Sequence, residues 1–257
     1  MIISHKHKYI FVEIPRTAST AIATELCLNY DGQKILHKHS LYPEFLRIAN
    51  DEEKTYFVFA GVRNPLDVIV GRYFKLKNDH KGIYTNPKFW RKNGGWLSSK
   101  DLEKFNWLKD TNADFPAFFK KYYKLPVDSL VSLNENRYDY IIRYENLQDD
   151  FSQALKLIGI TPKRPLPMVN KTTGKENETL SYLTPEIQSQ ARAICGPFMK
   201  KWGYDLPPEW GDNSVPYLNQ LQFDILSIIR KVYWRYVRRT RGYGLPQFLQ
   251  KTPSINS

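Results

Sequence analysis

Cysteine is nearly missing from this chain: Cys27 and Cys195 are the only two in 257 residues. Two cysteines so far apart build neither a disulfide framework nor a zinc site, so both read as reduced, buried, small apolar residues. Long apolar runs are missing too. No stretch of about 18 apolar residues exists, which excludes a spanning helix. The opening residues, MIISHKHKYIFVEI, lack the apolar segment of a secretory signal. The expectation is a cytoplasmic protein. Acids are in deficit, 26 Asp+Glu against 38 Lys+Arg, for a net charge of +12. That balance favours anionic partners: a phosphorylated cofactor, a sulfated or phosphorylated polymer, nucleic acid or an acidic membrane surface. Internal repeats and low-complexity tracts are absent.

What remains is a globular composition, 42% hydrophobic and 14% aromatic, long enough for one large α/β domain with a sizeable core. Tyr9 to Ile14 reads as a buried strand stopped by Pro15, and Ala18 to Asn29 as a helix with Ile22 and Leu26 on one face. YFVFAGV, Tyr56 to Val62, is a second buried strand. It leads into a helix over Leu66 to Lys77 with Ile69, Val70, Tyr73 and Phe74 as its apolar stripe. YDYIIRY, Tyr138 to Tyr144, is a third strand, followed by a helix carrying Leu147, Phe151, Leu155 and Ile158. Asn146 and Asp149 suit its first turn. Strand followed by helix, three times, predicts a parallel sheet covered by helices. Residues 78–110 read as a long, partly irregular insertion rich in Gly, Asn, Lys and Trp. Leu166 to Glu186 reads as a polar loop, and Pro185 to Lys200 as a helix.

The first strand–helix turn holds Arg16, Thr17, Ala18, Ser19 and Thr20. Backbone N–H groups at a helix start have no intrahelical partner, and the helix dipole makes that end electropositive. Small residues let an anion approach, hydroxyls from Thr17, Ser19 and Thr20 can donate to it, and Arg16 adds charge. The segment is suited to grip a phosphate or sulfate; the plainer alternative is an ordinary turn with Thr17 or Ser19 as N-cap. It lacks the glycines and lysine of G-x-x-x-x-G-K-[ST] and is not G-x-G-x-x-G. The second turn, VRNPLDVIVGRYF, presents Arg63 at a strand's C-terminal end, where α/β sheets bind ligands, or else as a structural ion-pair partner. Asn64 and Pro65 form the turn and Asp67 can open the helix. Two neighbouring turns, each with an arginine, suit a ligand with two separated anionic groups.

These segments resemble the carbohydrate-type, family-2-like sulfotransferases, which use 3′-phosphoadenosine 5′-phosphosulfate (PAPS). IPRTASTAI is similar to the family's 5′-phosphosulfate loop and VRNPLDVIVGRYF to its 3′-phosphate segment. Further similarity runs through HKHSLYPEF, YIIRYENLQDDFSQALKLIGI, LPMVNKTTGK and GPFMKKWGYDLP, spanning about residues 8 to 207. The resemblance implies a P-loop-like α/β three-layer sandwich with a central parallel sheet. It implies sulfuryl transfer from PAPS to an acceptor hydroxyl, with adenosine 3′,5′-bisphosphate as product and no metal. Arg16 through Thr20 would hold the 5′-phosphosulfate and Arg63 the 3′-phosphate. Two positions depart from the pattern. Many relatives carry lysine where this chain has Arg16; a guanidinium does not readily give up a proton but can stabilise the leaving charge. Gly71 stands where the family usually has a serine, leaving backbone only, with Arg72 beside it as a compensating cation.

In-line transfer also needs a base for the acceptor proton. His37 and His39 lie two apart, so an extended stretch would point both to one side. His39 is the preferred base, His37 the next, with Glu13 and Glu44 outside candidates. An H-x-H metal pair lacks an apparent third ligand. NKTTGK supplies Lys171, Thr172, Thr173 and Lys175, which either fold over the nucleotide, with Gly174 permitting close approach, or form a solvated loop. Trp90, Trp96 and Trp107, with Lys88, Arg91, Lys92 and Lys100, either wall an acceptor site or pack the insertion onto the core. Arg143 and Glu145 read as structural.

The domain reading is a sulfotransferase-like domain over 1–207 and a basic amphipathic helical C-terminal extension over 208–257. Between Arg230 and Arg241 there are six cations and no acids. A helix of this kind, with Ile225, Ile228, Ile229 and Val232 on its apolar side, lies on an anionic membrane or packs on the core or a partner subunit. The expected acceptor is a saccharide, glycolipid or other hydroxyl compound, and no nucleic-acid motif is present. A non-catalytic nucleotide- or sulfated-glycan-binding protein is the competing class; a P-loop kinase is disfavoured by the missing lysine and glycines.

Overall fold

The structure is a computed structural model that describes residues 1–167, 178–211 and 214–234. Among these residues the chain runs β1 (Ile2–Ser4), β2 (Tyr9–Val12), α1 (Ser19–Asn29), β3 (Gln33–Lys34), α2 (Tyr42–Phe45), β4 (Phe57–Val62), α3 (Pro65–Lys77), α4 (Ser99–Thr111), α5 (Phe115–Tyr122), β5 (Tyr140–Arg143), α6 (Leu147–Leu157), α7 (Pro185–Lys201) and α8 (Tyr217–Val232), with short 3-10 turns between. It divides into two units. The described residues of the first fall within Met1–Arg63, Ser129–Val169 and Asp224–Ser257, those of the second within Asn64–Asp128 and Asn170–Phe223.

The first unit is built on a five-stranded sheet of order β3-β1-β2-β4-β5. β2, β4 and β5 run parallel, with Val12 opposite Ala60 and Val62 opposite Arg143. The sheet is mixed rather than wholly parallel, which corrects the sequence expectation: β1 is antiparallel to β2, and β3 is antiparallel to β1. Only residues 5–8 join β1 to β2. Four residues can close a hairpin but cannot make the crossover of a dozen or more residues that a parallel pair requires. The parallel strands were legible because Tyr9, Ile10, Phe11 and Val12, and likewise Val58, Phe59 and Ala60, are buried almost completely. Their aromatic rings pack on one another, Phe11 with Phe59 at 5.2 Å and Tyr9 with Phe59 at 5.8 Å between centroids. Ile22 and Leu26 from α1 and Phe151, Ala154 and Leu155 from α6 complete this core with Ile142. Emptying a site such as Phe59 would cost about 3–5 kcal/mol. Glu25, buried in α1, is balanced by Arg164, whose guanidinium reaches it at 2.8 Å and holds its carboxyl below the usual range. Cys27 is half-buried rather than buried as expected, and burial pushes its thiol up.

The second unit is helical. Leu66, Ile69, Val70 and Tyr73 of α3 pack with Phe115, Phe118 and Phe119 of α5 and Ile187, Ala191, Ile194 and Cys195 of α7. The segment read as an irregular insertion contains 3-10 turns at His80–Gly82, Pro87–Phe89 and Arg91–Asn93, but α4 begins inside it, at Ser99. Ser98 starts this helix: its Oγ accepts from Asp101 N–H and donates to the Asp101 carboxylate at 2.7 Å. This is a capping signature spelled in the sequence SSKD.

Candidate active site

The three parallel strands of the first unit end side by side, and their C-terminal ends deliver the candidate residues. After β2 the chain passes through Glu13, Ile14 and Pro15 into a turn in which Arg16 (φ 69°) and Ala18 (φ 58°) are both left-handed. Neither is glycine, so each conformation costs about 1–2 kcal/mol. Turns with left-handed residues point successive N–H groups into one concavity and so suit anions. Ala18 is also the N-cap of α1, and no side chain caps that helix. Its first N–H groups, at Ser19 and Thr20, therefore have neither an intrahelical acceptor nor a capping oxygen.

Each residue of the turn has a distinct place. Arg16 is exposed and Thr17 buried. The Thr17 hydroxyl donates to the Ile14 carbonyl at 2.9 Å, so it closes the turn from inside instead of facing a ligand as the sequence suggested. Ser19 is buried in the first turn of α1 and Thr20 is exposed. Gly61 in β4 makes the close passage possible. A Cβ there would stand 2.6 Å from Thr17 Oγ1 and 2.8 Å from Thr17 Cβ, nearer than real contacts allow.

Arg63 follows β4 directly. Its guanidinium lies over the Tyr144 ring, 3.6 Å from the centroid, and Nη1 donates to the Arg16 carbonyl at 3.2 Å. Tyr144 follows β5 just as Arg63 follows β4. The two arginines proposed to bind separate anionic groups are thus joined, and Arg63 is held over an aromatic face that desolvates one side of it. Sequence reasoning missed Tyr144; its register beyond Arg143, which pairs with Val62, was the available signal.

The histidine loop returns to the same turn. Leu36 (φ 55°) and His39 (φ 68°) are left-handed, and Ser40 N–H donates to the His37 carbonyl at 3.0 Å. The segment is a turn, not the extended stretch that would have put both histidines on one side. His39 is half-buried, with Nδ1 2.7 Å from the Glu13 carbonyl, whereas His37 is exposed. A carbonyl can only accept, so His39 Nδ1 carries the proton and Nε2 keeps its lone pair. Burial lowers the His39 pKa below its ordinary 6.5, against the raising effect of the Glu13 carbonyl. At neutral pH the ring is the neutral form a general base requires. Lys38, between the two histidines, donates from Nζ to Thr20 Oγ1 at 2.9 Å. It brings a third cation to the start of α1 that the sequence reading did not single out. Of the outside candidates, Glu13 is buried beside the Met1 amine at 2.6 Å, and Glu44 accepts from Leu41 N–H at the start of α2.

The remaining candidates belong to the second unit or lie outside the description. Gly71 is buried in α3. Arg72 forms an ion pair with Asp101, which draws its guanidinium to α4. Burial would raise the Asp101 carboxyl, but the Ser98 hydroxyl and Arg72 hold it below the usual range. Asn64 caps α3 by accepting from Leu66 N–H at 2.9 Å, and Asp67 accepts from the Thr179 hydroxyl. In the tryptophan segment, Trp90 is pinned by its Nε1 to the Tyr84 carbonyl at 3.0 Å, Lys92 sits 4.9 Å over its ring, and Arg91 is exposed. Trp96 is 60% exposed and Trp107 packs edge-on against Tyr122. Trp107 therefore serves the core, while Trp96 is presented outward. Lys171, Thr172 and Lys175 lie outside the described residues. Among the described residues, no group of three or more His, Cys, Asp or Glu is placed to hold a metal ion.

A family profile described as Sulfotransferase family matches residues 1–195, and the chain belongs to that family. No curated protein and no solved structure matches it.

Proposed function

We propose that this sulfotransferase takes PAPS as donor and passes its sulfuryl group to a hydroxyl of a saccharide or glycolipid. The observation that supports this most strongly is the convergence of Arg16, Arg63 and His39 on the one uncapped turn that opens α1. The residues suit the donor: unpaired N–H groups and Arg16 for the 5′-phosphosulfate, and Arg63, held on Tyr144, for the 3′-phosphate. When bound, PAPS supplies an activated sulfur atom; the acceptor oxygen–sulfur bond forms as the bond from sulfur to the 5′-phosphate oxygen breaks. His39 Nε2 takes the acceptor proton, and the Glu13 carbonyl fixes the tautomer that leaves Nε2 free to do so. Arg16 and Lys38 stabilise the negative charge that the leaving phosphate gains, neither needing to release a proton. Lys171, Thr172 and Lys175 are assigned to the nucleotide, and Trp90, Arg91 and Trp96 to the acceptor, on the stacking and charge arguments made from the sequence.

Calorimetric titration with adenosine 3′,5′-bisphosphate, with adenosine 5′-monophosphate as control, tests the donor assignment. A preference of at least about tenfold for the bisphosphate is expected, since one extra dianionic group meets Arg63. Equal affinity would remove the nucleotide assignment. A transfer assay with labelled PAPS and a panel of saccharides then separates an enzyme from a protein that binds the nucleotide without turnover.

A further inference from the structure

Helix α8, Tyr217–Val232, has two unlike faces. One is covered: Phe223 and Ser227, one turn apart, are 2% and 7% exposed. The opposite face is bare. Leu218, Leu221, Ile225, Ile228 and Val232 recur at alternating steps of three and four residues, which places them in one stripe, and Ile229 widens it. Their exposures run from 43% at Leu221 to 76% at Leu218. Singly exposed leucines are ordinary, but a continuous stripe along the whole length of one helix marks a contact surface.

Charge identifies what covers it. Arg230 and Lys231 end the helix, and from Ile225 to Ser257 the sequence holds seven cations and no Asp or Glu. Tyr233 and Trp234 follow at the same end, where a ring with one apolar and one polar edge suits a headgroup boundary. A second copy would bring a chain of net charge +12 against another of the same charge, whereas an anionic lipid surface is attracted by every one of these cations. No helix among the described residues is long and apolar enough to cross a membrane. We infer that α8 lies in the plane of an anionic bilayer surface, its Leu218–Val232 stripe among the acyl chains and its basic end among the headgroups. The inference is independent of the donor and acceptor proposed above.

Flotation of the full chain with vesicles of phosphatidylcholine alone, or of phosphatidylcholine with about 30 mol % phosphatidylglycerol, tests it. Binding is expected to the anionic vesicles and to weaken as salt is raised to about 0.5 M. Ile225→Ser/Ile228→Ser should lower the partition coefficient by about tenfold or more, and Arg230→Gln/Lys231→Gln by a smaller factor. Both isoleucines are exposed, so circular dichroism and the melting temperature should stay near those of the parent chain. No flotation at low salt, or flotation indifferent to the serine pair, overturns the inference. So does a concentration-dependent dimer that the serine pair abolishes without any vesicle binding, an outcome that assigns the stripe to a second copy.

Discussion

After β2 the chain uses six residues, Glu13 to Ala18, before α1 begins; after β4 it uses two, Arg63 and Asn64, before α3. The short turn is closed by its own side chains. Asn64 Oδ1 caps the helix and Pro65, which has no N–H to satisfy, occupies the first helical position. The long turn is left open. It holds two left-handed non-glycine residues and no capping side chain, and the Thr17 hydroxyl that could have capped it is turned inward to Ile14. The two turns look alike as sequence, each an arginine after a buried strand. They differ in where the helix donors go: Asn64 takes one at the start of α3, whereas no side chain takes those at the start of α1.

Substitutions in and around both turns test that contrast. The largest effect belongs to the open turn. His39→Ala should lower kcat by about 10²–10⁴-fold, the usual contribution of a general base, with His37→Ala within about threefold of the parent enzyme. The pH profile carries the sign. Burial lowers the His39 pKa, so the base form is present above a midpoint below 6.5, and kcat/KM should rise with pH through that midpoint and lose this limb in the alanine variant. An unchanged limb would assign the proton to another group. Next, Arg63→Ala should weaken adenosine 3′,5′-bisphosphate binding by about 30–100-fold in calorimetry, as expected for losing a charge-assisted contact. Tyr144→Ala, which removes only the supporting ring, should cost about threefold to tenfold. Equal losses would mean that the ring itself meets the nucleotide.

Gly61→Ala should lower stability by about 1–3 kcal/mol in urea unfolding, because its methyl group would collide with Thr17. Combined with Thr17→Ala, which removes the Oγ1 that the methyl group would meet at 2.6 Å, the loss should be smaller than the sum of the two single losses; strict additivity would refute the contact. The smallest effect compares the two helix starts directly. Asn64→Ala should cost about 1 kcal/mol by thermal unfolding, as loss of a cap does, whereas Ala18→Gly should leave stability level or raise it by up to about 1 kcal/mol by relieving a left-handed alanine. If both variants were destabilised alike, the open turn would carry no stored strain.

Much of this was legible without coordinates. The strands beginning at Tyr9, at residue 57 and at residue 140, and the helices that follow them, announced themselves through buried β-branched and aromatic runs and helical spacing. The placement of Arg16 and Arg63 beyond the ends of parallel strands was legible, because a strand's end before a helix is a fixed place in an α/β sheet. The hairpin of β1 was not, since a three-residue strand of two isoleucines and a serine carries no period and only pairing with Phe11, Ile10 and Tyr9 makes it a strand. The histidine turn was not either. An H-x-H spacing says the same thing whether extended or turned, and neither the left-handed conformations of Leu36 and His39 nor the contact of His39 with the Glu13 carbonyl can be read from it.

The sequence by itself determined the family and the three strand–helix units of the parallel part of the sheet, because these depend on local spacing and on which residues cannot face water. Only the tertiary structure decided which groups are open to a ligand and which are already engaged. Thr17 is taken by Ile14 and Arg72 by Asp101, while Lys38 is carried to Thr20 and Arg63 to the Tyr144 ring. The reason is physical: whether a donor is available depends on the nearest partner in space, and that partner lies as far as 81 residues away along the chain for Arg63 and the Tyr144 ring.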